Sequence, residues 1–273
     1  PLEKGDKLRA YHQLKELSKH YSITLIATTD EAIKKDSIEE IRKYCKTIYI
    51  IKLNKISIAF NLLLQFLTNK PFQTGYFFSS KNKARIKSII KDLKPDHIFC
   101  QLIRVTEYVK NYHDCPKTID YMDALSKGME RRALKAPFYS KWIFEMEATR
   151  LMEYERKIFD YFEHHIMISE QDKNYILHPD RKNILCIPNG VDNKFFEKIS
   201  IKKDAEIVFV GNLSYAPNIE ASQFLIQKIL PYFTNKNPDF KLLISGASPS
   251  FILKKLCKEN NNIELTGWVK DIR

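Results

Sequence analysis

Three short apolar runs in the last third of the chain each end in a glycine. The runs are residues 207–210 before Gly211, 242–244 before Ser245 and Gly246, and 263–266 before Gly267. Apolar residues at helical spacing follow the first two runs, at 218–229 and 250–258. Strands that alternate with helices predict a parallel sheet, and glycine at a strand's carboxyl end lets the backbone approach a phosphate or a base. The sequence therefore predicts a nucleotide-binding unit here.

The same alternation runs back through the rest of the chain. Further strand candidates, with helical patterns between most of them, are residues 23–27, 48–51, 97–100, 117–121, 166–169 and 184–187. Pro188 cannot continue a strand and Asn189-Gly190 is a strong turn signal, so the chain is expected to bend there, with these two residues as the hinge. The 273 residues are enough for two domains. We predict an α/β fold with two doubly wound, Rossmann-like parallel sheets, at 1–190 and 191–273.

The charge balance points to an anionic partner. The chain has 45 basic and 33 acidic residues, a net charge of +12. Nucleotide phosphates, an anionic membrane surface with a lipid-linked acceptor, and nucleic acid all fit that charge. The basic residues are dispersed and no nucleic-acid motif with interleaved aromatic residues is visible. Nucleic acid is therefore not expected as a partner.

Membrane-spanning and metal-binding signals are weak. The longest apolar stretch, 56–67, is interrupted by Ser57, Asn61 and Gln65 and is too short to span a bilayer. We interpret it as a buried or surface-seeking helix, with core packing favoured over membrane contact. The five cysteines lack C-x-x-C spacing, so neither a zinc site nor a disulfide framework is indicated. The sequence predicts a cytoplasmic protein, with attachment at the inner face of the membrane left open.

Several motifs, taken together, carry a family resemblance. In chain order they are residues 5–9, 120–126, 169–172, 187–192, 210–213 and 266–273. They resemble family 4 glycosyltransferases, and more narrowly the sugar transferases of bacterial exopolysaccharide systems. The resemblance implies a GT-B fold and a retaining transfer of a sugar from a nucleotide-sugar to a glycan or lipid-linked acceptor. It also implies that no metal or cofactor takes part, and that residues 1–190 form the acceptor side and 191–273 the nucleotide-sugar side.

Two departures from the family pattern stand out. Family members carry a glutamate motif and a glycine-rich helix start later in the second domain, beyond Arg273. Because the chain also begins with Pro1 and not Met, the 273-residue piece is expected to lack both termini and to be inactive. Many relatives place Arg or Lys shortly after the glycine of the first second-domain strand, where this chain has Asn212 and Tyr215. The charge of the diphosphate would have to be met by other groups.

Candidate catalytic residues follow the strand at 117–121. Glycosyl transfer develops oxocarbenium character at the sugar, which a nearby carboxylate stabilises. Asp120 and Asp123 meet that need, and Asp123 is slightly favoured. The alternative is that either aspartate caps the next helix.

Phosphate and donor contacts are expected at other strand ends. In the amino-terminal segment, Gly5 is expected to form a loop that approaches phosphate or acceptor, and Arg9 is a candidate anion contact. The predicted donor-binding residues are Gly211 and Asn212 at the diphosphate or sugar, Ser245 and Gly246 near the ribose or base, and Trp268 and Val269 beside the base.

Two rival functions share these features. A nucleotide-sugar 2-epimerase has the same two-domain architecture and would form product without an acceptor. A non-enzymatic, basic scaffold that binds nucleotides or nucleic acid is the other alternative, given the charge of +12.

Overall fold

The computed structural model describes residues 5–33, 35–197 and 203–272. The chain divides into two compact units. The first unit is Arg9–Asn189, and the second combines Gly190–Arg273 with Pro1–Leu8. Arg273, the last residue of the final motif, lies outside the described residues.

The strands of the first unit are all paired in parallel. In order they are β1 (Thr24–Thr29), β2 (Thr47–Lys52), β3 (Ile98–Gln101), β4 (Lys117–Met122), β5 (His164–Met167) and β6 (Leu185–Cys186). Within the described residues, β1 and β2 pair with each other, and β3 to β6 form a second sheet in chain order. The predicted parallel α/β fold is confirmed.

Helices connect these strands and enclose the core of the first unit. They are α1 (Gly5–Leu17), α2 (Lys35–Arg42), α3 (Lys55–Leu67), α4 (Phe72–Phe77), α5 (Ser80–Leu93), α6 (Leu125–Lys135), α7 (Phe138–Phe159) and α8 (Glu170–Lys173). Strand β4 is buried along its whole length. Its Ile119 and Tyr121 pack with Leu151 and Ile158 of α7 and with Met167 of β5. This core fixes the carboxyl end of β4.

Helix α7 buries two carboxylates that anchor neighbouring helices. Glu147 accepts hydrogen bonds from the backbone N–H groups of Phe72 (2.7 Å) and Gln73 (3.0 Å), at the start of α4. Glu155 accepts from the N–H (3.1 Å) and the hydroxyl (2.5 Å) of Ser126, at the start of α6. Free N–H groups at a helix start need acceptors, and these carboxylates supply them from another helix.

Because Glu155 is buried, the free energy of unfolding of the first unit should fall as the pH rises and this carboxyl group ionises. Burial raises the pKa of Glu155 from 4.5 to about 7, against the hydrogen bonds from Ser126, which lower it. An acid with a raised folded-state pKa favours folding while it is protonated, so its contribution is present below 4.5 and is lost as the pH rises through about 7. Glu155→Gln should remove about 3 kcal/mol of this pH dependence, measured by urea unfolding at several pH values. Glu145→Gln, at an exposed position of the same helix, should leave the dependence unchanged.

The second unit has the predicted strand, glycine and helix order. Its strands β7 (Ile207–Val210), β8 (Leu242–Ser245) and β9 (Ile263–Gly267) form a parallel sheet in that order. The helices are α9 (Ala216–Phe224), α10 (Leu230–Thr234) and α11 (Phe251–Lys258). Leu213, Leu230 and Ile244 are among the fully buried side chains of its core.

A π-helical turn, Leu225–Ile229, joins α9 to α10. Pro231 lies just after this turn. Proline has no N–H to donate and its ring clashes with the carbonyl four residues earlier in a regular helix, so a wider turn accommodates it. The predicted helix at 218–229 is therefore the first part of a longer, interrupted helix.

The sequence favoured core packing for the apolar segment 56–67, but the structure shows that most of this helix is not buried in the core. The segment forms most of α3, whose Ile56, Phe60, Leu63 and Leu67 are each at least 60% exposed. Across residues 5–33, 35–197 and 203–272, no helix combines the length and the apolar character that crossing a membrane requires.

Candidate functional site

A buried ion pair lies at the carboxyl end of β4. Asp120 is fully buried, and its Oδ2 accepts hydrogen bonds from Arg9 Nε (2.8 Å) and Gln13 Nε2 (2.8 Å). Its Oδ1 accepts from the N–H of Met122 (3.0 Å). Arg9 and Gln13 are four residues apart on α1 and thus share one face of that helix. Asp120 ties α1 to β4.

One nitrogen of the Arg9 guanidinium group makes no hydrogen bond to the described residues. Arg9 is 8% exposed, and its Nη1 donates to Asn189 Oδ1 (2.9 Å), so the predicted hinge residue closes one side of the group. Its Nη2 is buried and has no hydrogen-bond partner among the residues that the structure describes. Because an unsatisfied buried donor is costly, this nitrogen is a ready contact for the oxygen of a ligand.

A tight turn after β4 places Asp123. The N–H of Asp123 donates to the carbonyl of Tyr121 (2.9 Å), across Met122, whose φ is 63°. This is a γ-turn with a left-handed central residue, a strained conformation found at functional sites. The carbonyl of Met122 accepts from Ile168 N–H (3.1 Å), so β5 holds the turn in place.

The two candidate carboxylates differ in what they can do. Asp120 is enclosed by its partners, whereas Asp123 is exposed. Partial desolvation and the negative charges of Asp172 and Asp120 raise the pKa of Asp123. Asp123 is thus the accessible carboxylate of the pair.

Neither aspartate caps the next helix, which corrects that alternative. The residue preceding α6 at its N-terminus is Ala124, which offers no side-chain acceptor. Glu155 of α7 supplies the acceptor instead. A contact made from a distant helix leaves no local signal in the sequence.

The strand ends of the second unit meet at one edge of the sheet. The backbone pairing aligns Val210 with Ser245 and Ser245 with Gly267. The N–H of Gly211 donates to Ser245 O (3.0 Å), and that of Gly246 donates to Gly267 O (2.8 Å). A Cβ at Gly246 would lie 1.7 Å from Gly211 O, so a side chain cannot fit there. The three glycines therefore form one continuous backbone surface.

The remaining predicted donor residues surround this edge. Asn212 Oδ1 accepts from the N–H of Ser214 (2.9 Å), which shapes the turn after β7. Ser245 is buried, and its hydroxyl lies 3.4 Å from Gly267 O, so its side chain contacts the neighbouring strand. Trp268 follows β9 directly and is largely exposed, with Val269 next to it.

Two of the other predicted positions have open surroundings. Gly5 belongs to the first turn of α1 and not to a loop, because the helical pattern extends back to it. A Cβ at this position would meet no atom of the described residues within 4 Å. Gly190 is exposed and equally open, and the division between the two units falls between Asn189 and Gly190.

Sequence reasoning missed Gln13 and the role of Asn189 as an acceptor for Arg9. The four-residue spacing of Arg9 and Gln13 on a predicted helix was a usable signal for a shared face. The pairing with Asp120 had none, because the partners are far apart in the chain.

Two α/β units with parallel sheets define the Rossmann-like GT-B class of fold. Residues 204–273 match the model of the family described as Glycosyl transferases group 1. This match lies within the second unit, which is therefore similar to group 1 glycosyltransferases.

Similarity to known proteins extends over nearly the whole chain. A Klebsiella pneumoniae protein described as an uncharacterized 44.6 kDa protein in the cps region is 26% identical over 271 residues, which cover 94% of this chain and 65% of that protein. The UDP-GlcNAc 2-epimerase from Neisseria meningitidis bound to UDP-GlcNAc is 16% identical, with a TM-score of 0.53 over 97% of this chain and 70% of that one. The S. aureus MnaA–UDP structure is 14% identical, with a TM-score of 0.41 over 91% of this chain and 69% of that one. The epimerase shares the fold.

Proposed function

We propose that the whole protein transfers a sugar from a nucleotide-sugar to a glycan or lipid-linked acceptor in surface polysaccharide biosynthesis. The group 1 domain at 204–273 supports sugar transfer, and the Klebsiella relative in a cps region supports the polysaccharide setting. Following the family resemblance, the proposal includes a retaining outcome, no metal or cofactor, and a cytoplasmic protein that works at the inner face of the membrane.

One observation carries the proposal. The carboxyl ends of β7, β8 and β9 meet at a single edge, where Gly246 is seated against the carbonyl of Gly211. In open parallel sheets, ligands bind beyond the carboxyl ends of the strands. Backbone without side chains admits a diphosphate or a base at close range. We assign the nucleotide part of the donor to this edge.

The first unit offers the groups that sugar transfer requires. The reaction builds positive charge on the sugar and negative charge on the leaving diphosphate. We assign the accessible carboxylate of Asp123 to the sugar, and the unpartnered Nη2 of Arg9 to an oxygen of donor or acceptor. Asp120 is a positioning residue, because it orients Arg9 and does not itself reach a ligand.

The test is nucleoside diphosphate release by the full-length protein. UDP-, GDP- and ADP-sugars are compared with and without lipid-linked acceptors. Acceptor-stimulated release from one donor is the expected result. A nucleotide-sugar converted without any acceptor would replace the transferase with an epimerase, and RNA binding without donor affinity would replace it with the scaffold.

Asp123→Asn should lower turnover at least about 100-fold with little change in donor affinity, because the carboxylate acts mainly on the transition state. The wild-type rate should rise with pH as Asp123 ionises, over a range above that of an ordinary aspartate, since its pKa is raised. The variant should lack this rise. The measurement is kcat against pH; unchanged kcat would remove Asp123 from the mechanism. Asp172→Asn is the matched control: it keeps the accessible carboxylate, so we expect the rise to persist at lower pH.

A further inference from the structure

Helix α3 has an apolar stripe on its outward face, whereas its inward face is mixed and includes the buried residue Ile58. Its inward residue Asn61 donates to the carbonyls of Gly75 (3.3 Å) and Phe78 (2.6 Å), and Gln65 packs against Gly75. Its outward residues Ile56, Phe60, Leu63 and Leu67 recur at intervals of three and four and are largely exposed. Four large apolar side chains on one stripe are costly in water. The outer face of α3 is built to be covered.

The helix is held firmly in this orientation. Asn54 caps its N-terminus by accepting from Ile56 N–H (2.8 Å). Arg150 of α7 donates to the carbonyl of Gln65 (2.7 Å), and the rings of Phe66 and Phe72 lie 4.9 Å apart. The apolar stripe is therefore a fixed surface of the first unit.

The chain segment that contains α3 carries charge of one sign. From residue 41 to residue 91 the chain has eleven Lys or Arg and no Asp or Glu. This segment holds nearly all of the net charge of +12. Lys52 and Lys55 precede the stripe and Lys70 follows it, and all three are exposed. An apolar stripe with basic residues at both ends matches the surface of an anionic bilayer, where apolar side chains enter the acyl boundary and lysines meet the headgroups.

We infer that the outer face of α3, with Lys52, Lys55 and Lys70, docks the protein on an anionic lipid bilayer. This inference deepens the proposed location at the membrane and does not require sugar transfer. A second copy is a poorer occupant, because a symmetric contact would place the basic segment against itself. Lipid headgroups instead neutralise it.

Vesicle flotation of the full-length protein tests the inference. With vesicles containing about 30 mol% phosphatidylglycerol the protein should float, and with phosphatidylcholine alone or at high salt it should not. The combined change Ile56→Ser, Phe60→Ser and Leu63→Ser should weaken binding roughly 100-fold. The matched control, Phe224→Ser, Phe251→Ser and Ile252→Ser, removes three exposed apolar residues of the second unit and should bind as the wild type does.

A second readout does not depend on the triple change. Phe60→Trp should shift its fluorescence to shorter wavelength with anionic vesicles, and Phe251→Trp should not. Flotation of the α3 triple variant equal to wild type would overturn the inference, as would equal binding to neutral vesicles. A wild-type dimer that the triple change makes monomeric, without flotation of either, would assign the stripe to a second copy. Donor-dependent nucleotide release is scored separately with a soluble acceptor, so failure of either proposal is recognised independently.

Discussion

Asp120→Ala is expected to destabilise the first unit by about 3–5 kcal/mol. The change removes the acceptor for Arg9 Nε and Gln13 Nε2 and leaves a guanidinium group buried without its counter-charge. It also frees the N–H of Met122 in the strained turn that places Asp123. Urea unfolding followed by Trp142, with Trp268→Phe as background, reports on the first unit.

Removing both charges tests whether the loss comes from the unpaired ion. The double variant Arg9→Met/Asp120→Leu should recover most of the stability, because no buried charge is left. Lys19→Ala, which breaks the exposed pair with Glu16, serves as the control and should change stability by about 0.5 kcal/mol or less. A loss of that size for Asp120→Ala would mean that the buried pair does not hold α1 to β4.

Gly246→Ala is expected to destabilise the second unit by about 3 kcal/mol or more and to abolish donor binding. The new Cβ would lie 1.7 Å from Gly211 O, so one of the two strand ends has to move. Since that obstacle is backbone, no rotation of a side chain can relieve it. Unfolding is followed by Trp268 in a Trp142→Phe background.

A graded series of glycine changes sharpens this test. At Gly211 the nearest atom to a new Cβ is the end of the Asn218 side chain at 2.8 Å, which can rotate away, so Gly211→Ala should cost less. At Gly190 no atom of the described part of the chain lies within 4 Å of a new Cβ, and Gly190→Ala should be nearly neutral. The expected order of destabilisation is 246, then 211, then 190. Equal effects at 246 and 190 would contradict the close packing of the strand ends.

Patterns of short range were enough to predict most of the fold. The apolar runs at 207–210 and 242–244 became β7 and β8 because consecutive β-favouring residues in an α/β unit are buried on both faces. The glycine after each run marked the sheet edge correctly, since strand direction in a parallel sheet is uniform. The register between neighbouring strands was not predicted and is known from the structure.

Contacts of long range were not predictable from the sequence. Glu147 and Glu155 lie on an amphipathic helix among exposed ion pairs, and nothing local separates a buried capping carboxylate from a solvated one. Asp120 and Asp123 likewise differ only in the turn at Met122, which places one inside and the other outside. The outward face of α3 was misjudged because an apolar stripe has the same spacing whether it meets a core or a membrane.

The close contact of Gly246 with the backbone of Gly211 constrains both the evolution and the engineering of this sheet edge. A side chain at position 246 would overlap the backbone carbonyl of residue 211, so substitutions at the two positions are coupled. Among homologous chains, a residue other than glycine at 246 should coincide with a different backbone turn at 211. For the same reason, an engineer who moves this strand edge onto another scaffold has to transplant both strand ends together as one cassette.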